Sequence, residues 1–117
     1  MMRFSLILSL LILTASIAWG ADTNPNAKQI TVDMKSISYD PKIVNASVGD
    51  SIVWTNKAFS SHTATSEDEG SFDTGEVKPG ESSSPVKFDK EGEFKYHCTI
   101  HGKTMRGTVV VKPAASN

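Results

Sequence analysis

The sequence predicts a single all-β domain, a β-sandwich or barrel. Apolar residues alternate with polar ones along several short segments, as they do on half-buried strands. Turns bearing glycine and proline separate these segments at regular spacing. No segment after residue 20 has the length and period of an amphipathic helix.

The first twenty residues stand apart from that domain. Met1-Met2-Arg3 makes a positive start, Phe4 to Ala18 is an almost unbroken apolar run, and Ala18-Trp19-Gly20 ends in a small residue. This is the pattern of a secretory signal peptide over residues 1–20, cut after Gly20. The apolar run is short for a membrane span of about 20 residues. A lipoprotein would need a cysteine at the cleavage point, and none is there. Residues 21–117 then form one exported domain, periplasmic or secreted, with no membrane span. Of 12 basic residues Arg3 is lost with the leader, which leaves 11 against 13 acidic ones. No basic stripe points to nucleic acid.

Within the domain, 22–27 (DTNPNA) is expected to be a mobile leader. Ile30, Val32 and Met34 then alternate with Gln29, Thr31 and Asp33, which predicts a strand. "SYDPKIVNASVGD" (38–50) follows as one extended stretch ending in the Gly49-Asp50 turn signal. "SIVWT" (51–55) is rich in β-formers. Residues 56–83 are polar, hold Gly70, Gly75, Pro79 and Gly80, and read as loops with one or two short regular pieces. "SPVKF" (84–88) is a strand, "DKEG" (89–92) a turn and "EFKYHC" (93–98) a strand. On that strand Phe94, Tyr96 and Cys98 share one face, with Lys95 and His97 on the other. "GTVVV" (107–111) is the last strand, and 113–117 a tail.

Export makes the lone cysteine informative, because cysteines outside the cytosol usually pair and an exposed thiol oxidises. Cys98 could form an intermolecular disulfide, be an inert buried residue, or bind a metal. Its neighbours favour the metal. Cys98, His101 and Met105 lie on one loop between two predicted strands, so their donors can converge. A thiolate, an imidazole and a thioether suit copper, whose blue sites use two histidines, a cysteine and a weak methionine. His97 points to the opposite strand face from Cys98, so His62 is the remaining candidate for the second imidazole. Met105 could equally be a core plug below the site.

These residues carry a family resemblance. "SYDPKIVNASVGDSIVWTN" and "SFDTGEVKPGESSSPVKFDKEGEFKYHCTIH" resemble the corresponding stretches of the cupredoxins, closest to plastocyanin, pseudoazurin and amicyanin. The resemblance implies a Greek-key β-sandwich holding one type 1 copper ion at His62, Cys98, His101 and Met105. It implies a monomer that carries single electrons between redox protein partners, a donor and an acceptor, rather than an enzyme. The Thr63 N–H would lie near the Cys98 sulfur. Two departures stand out. Three residues separate His101 from Met105, where plastocyanins and pseudoazurins have four and amicyanins two. Thr63 stands where the family often has asparagine, which puts that residue's usual side-chain link to the position of Thr99 in doubt.

Rival readings use the same donors otherwise. One is copper binding or delivery without redox turnover. Another is a thiol hydrolase built on Cys98 and a histidine, and a third is a detached module of a copper enzyme. His97 is either a surface histidine on a sheet edge or an electron exit path. Glu67-Asp68-Glu69 reads as a solvated acidic loop. Lys103 and Arg106 flank the donor loop and could steer an acidic partner.

Overall fold

The computed structural model describes residues 24–114; the expected signal segment 1–20 and its cleavage point lie outside them. Eight strands run in the order β1 (Gln29–Met34), β2 (Tyr39–Asp40), β3 (Ile43–Ser47), β4 (Ser51–Asn56), β5 (Thr65–Ser66), β6 (Val86–Lys87), β7 (Gly92–His97) and β8 (Arg106–Lys112). A single 3₁₀ turn, Gly102–Thr104, is the one helical piece among the described residues. No helix there is long and apolar enough to cross a membrane.

The strands form two sheets, ordered β2-β1-β4-β6 and β3-β8-β7-β5. Each has one parallel pair, β1 with β4 and β3 with β8. The alternation read along the chain is what faces the sheets together. Val32 and Met34 on β1, Ile52 and Trp54 on β4, Tyr96 on β7, and Val109 and Val111 on β8 are all buried. Burying a side chain of this kind contributes about 1.5–3 kcal/mol. The Trp54 and Tyr96 rings meet edge to face between the sheets at 5.3 Å. Gly107 sits under Tyr96, where a Cβ would fall 2.4 Å from the phenol ring, so only glycine fits.

Four expectations are corrected. The stretch 38–50 is two strands in different sheets, β2 beside β1 and β3 beside β8, because the chain crosses the sandwich at Pro41-Lys42. Asn24 to Ala27, expected to be mobile, form a turn: the Ala27 N–H donates to the Asn24 carbonyl at 3.0 Å, and Asn24 Nδ2 to the Val48 carbonyl at 3.1 Å. The buried Asp50 carboxylate holds the next residues by accepting the Lys28 and Ser47 N–H groups, both at 2.9 Å. Lastly, β7 ends at His97 rather than Cys98, and only Val86–Lys87 of the expected strand 84–88 is paired.

Candidate metal centre

One end of the sandwich gathers the loops after β1, β4 and β7. Asn56, at the end of β4, shapes the loop that carries His62. Its Nδ2 donates to the carbonyls of Ser60 at 2.8 Å and Val77 at 2.9 Å, and its Oδ1 accepts the Ala58 N–H at 2.8 Å. The His62 backbone then exchanges two hydrogen bonds with Val77, at 3.1 and 2.7 Å. On the opposite sheet β7 delivers Cys98, and the chain turns back through His101 and the 3₁₀ turn. Gly102 takes a φ of +60° there, a left-handed conformation that glycine accepts without a Cβ clash. The Cys98 N–H closes the loop on the Met105 carbonyl at 3.0 Å.

These two supports bring His62, Cys98 and His101 together, with one donor atom of each lying within 4.8 Å of the others. His62 Nδ1 is 3.7 Å from the Cys98 sulfur, and the two imidazole rings are 4.7 Å apart. His62, Cys98 and Met105 are fully buried and His101 is half-buried. Both Nε2 atoms are buried without a hydrogen-bond partner, so no protein acceptor satisfies them as it would in ordinary core histidines. Burial first, and the facing His101 second, hold the His62 pKa below its usual value; the Lys35 backbone, outside hydrogen-bond geometry to Nε2, opposes them. That direction favours the neutral ring, the form that binds metal. A thiolate with two neutral imidazoles fits copper or zinc by softness, and the adjoining thioether favours copper.

Thr63 links both donor segments. Its N–H donates to the Cys98 sulfur at 3.3 Å, as the resemblance implies. The doubtful link to Thr99 is present as well, since the Thr63 hydroxyl oxygen accepts the Thr99 N–H at 3.0 Å. A hydroxyl one carbon from the backbone reaches far enough because the two segments lie side by side. Tyr39 donates its hydroxyl to the Thr63 carbonyl. Asn56 and Tyr39 escaped the sequence reading. Asparagine before a loop and tyrosine on a strand are common, and only the fold brings them to the site.

His97 stays outside the donor group. It is not at a sheet edge: Arg106 on β8 and Thr65 on β5 flank it. Glu67, Asp68 and Glu69 are exposed, but Glu67 pairs with Arg106 at 3.7 Å, so part of that cation's charge is already met.

Comparison with known proteins agrees with this geometry. A family model described as a cupredoxin-like domain matches residues 5–111. Chloroplastic plastocyanin of Tetradesmus obliquus is 32% identical over 95 residues, which cover 72% of this chain and 65% of its own length. Amicyanin of Paracoccus denitrificans is 31% identical over 87 residues, covering 71% and 65%. The chain thus spans just under two thirds of each curated relative. A solved structure of a mutant amicyanin in its Cu(I) form matches with a TM-score of 0.65 and 28% identity, over 72% of this chain and 82% of that one.

Proposed function

The chain belongs to the cupredoxin-like family, and on that footing we propose that it is an exported blue copper protein that carries single electrons between redox partners. His62, Cys98, His101 and Met105 hold the ion, and residues 1–20 are the export signal, which places residues 21–117 in the periplasm or outside the cell. The carrying observation is the buried convergence of His62, Cys98 and His101 within 4.8 Å.

When bound, copper supplies a one-electron couple between Cu(I) and Cu(II). The residues do the rest. Cys98 presents a thiolate, and the Thr63 N–H offsets part of its negative charge. His62 and His101 present ring nitrogens, and Met105 adds a weak thioether. Hydrogen bonds donated by Asn56 and Cys98, and one that Thr63 accepts from the Thr99 N–H, tie both donor segments in place through protein groups alone. A scaffold set in advance moves little when the charge changes, which suits fast transfer. The half-buried His101 is the donor through which a docked partner would exchange electrons.

The test is a visible absorption spectrum of the copper-loaded protein, followed by reductive titration. An intense blue band that bleaches and returns reversibly supports the carrier. A colourless protein that passes Cu(I) to an apo-acceptor would instead identify a delivery protein.

A further inference from the structure

We propose that Tyr39 is a positioning residue for the Cys98 sulfur: its hydroxyl anchors the Thr63 carbonyl and so aims the Thr63 N–H at the thiolate. The role rests on the metal centre proposed above, but its geometry is made by protein groups alone.

The argument begins with where the backbone groups of residues 62–64 go. His62 exchanges both its groups with Val77. The Ala64 N–H donates to Thr74 Oγ1 at 2.9 Å, and its carbonyl accepts the Thr74 N–H at 3.0 Å. Both residues are thus tied to the 74–77 segment. Thr63, between them, turns its own groups the other way, as alternate residues of an extended chain do. Its N–H meets the Cys98 sulfur and its carbonyl meets Tyr39. That is a complete account of its backbone, with one partner on each side. Thr63 is only 6% exposed, so water is poorly placed to replace either partner.

Tyr39 is well suited to the task. It lies on β2, pairs with Met34 of β1, and is buried to 3% exposure. Its ring packs edge to face on Tyr96 at 4.6 Å, which fixes where the hydroxyl can reach. Strand pairing in one sheet and ring packing across to the other thus set the aim of an N–H beside the Cys98 sulfur that follows β7. Without that hydroxyl the Thr63 carbonyl is left buried and unpaired, a costly state that the segment relieves by tilting. The tilt lengthens the weak N–H to sulfur contact. An N–H donor draws charge from the thiolate and favours Cu(I), so weakening it lowers the reduction potential.

The experiment compares Tyr39→Phe with Tyr96→Phe, each of which deletes one buried hydroxyl. The Tyr96 hydroxyl has no hydrogen-bond partner and serves as the control. In metal-free protein, hydrogen exchange of the Thr63 amide should be about tenfold faster in Tyr39→Phe than in wild type, the scale expected for losing a buried partner. It should be unchanged in Tyr96→Phe. In copper-loaded protein, only Tyr39→Phe should show a lower potential and a shifted visible band. Thr63 exchange like wild type overturns the proposal, and so does a uniform rise across all amides, because Tyr39 would then contribute packing alone. A wild-type protein without a blue band sinks the copper reading instead, and Thr63 exchange still decides the role of Tyr39.

Discussion

The backbone of Cys98 donates to the backbone of Met105 at 3.0 Å, so the two sulfur-bearing residues are tied together without either side chain taking part. The loop therefore keeps its closure when the Met105 side chain is changed. That separates what the thioether does from what the loop does.

Replacing Met105 by leucine tests this separation. The swap conserves volume in a fully buried position, so stability should change by less than about 1.5 kcal/mol. Losing a weak sulfur donor removes density that favours Cu(II), so the blue colour should persist while the potential rises. Voltammetry reads the outcome. An unchanged potential would reduce Met105 to core filler.

On the proposed copper reading, Cys98→Ser should abolish the strong visible band, since its colour would be thiolate-to-copper charge transfer. His62→Ala should weaken or shift the band and lower copper affinity, because one nitrogen of the buried group is gone. If His62→Ala left both spectrum and affinity intact, the second imidazole would have to be sought elsewhere.

Gly107→Ala should destabilise the fold by about 1–3 kcal/mol, the usual cost of overpacking. The added methyl would meet the Tyr96 ring at 2.4 Å, and that ring is wedged against Trp54 and Tyr39. Urea unfolding of the metal-free protein measures it. A loss below about 0.5 kcal/mol, the range of neutral surface changes, would mean that the tyrosine has room to move.

Alkaline titration should reveal the buried phenols. Burial pushes Tyr96 from near 10 up to about 12, with the Trp54 indole pulling slightly the other way although the pair falls short of hydrogen-bond geometry. Burial also raises Tyr39, helped by the Cys98 charge. Both pKa values are higher folded than unfolded, so the unfolded chain releases these protons first. The stability they confer is complete below about pH 10 and is lost as pH climbs through 12. Phenolate absorbance should consequently appear together with unfolding. Phenolate signal from both tyrosines near pH 10 in a still-folded protein would contradict the burial.

The sequence revealed most where information is local. Alternation located the strand around Ile30–Met34, where burial on one face leaves a period of two in the residues themselves, while β-forming composition located the one around Ile52–Trp54, buried on both faces. The donor candidates were visible because a cysteine, a histidine and a methionine on one short loop are chemically unusual. Pairing choices were hidden. Nothing within 38–50 says that Tyr39 joins one sheet and Val44 the other, because each partner lies far along the chain. Nor could spacing show that the Thr63 hydroxyl would reach the Thr99 N–H, which depends on how two distant segments lie against each other.

The parallel pairing of β3 with β8 also bears on how the protein comes to be made. Ile43 must find Thr108, and Val44 must find Val109, across most of the domain, a high contact order that slows folding. The Cys98–Met105 loop leads straight into β8, so its donors cannot take up their places until that last strand has docked. A chain still emerging from synthesis or from an export channel therefore has no assembled site with which to seize an ion. On the proposed copper reading, ion capture would be the final event of maturation, and the compartment where folding finishes would decide which metal is on offer.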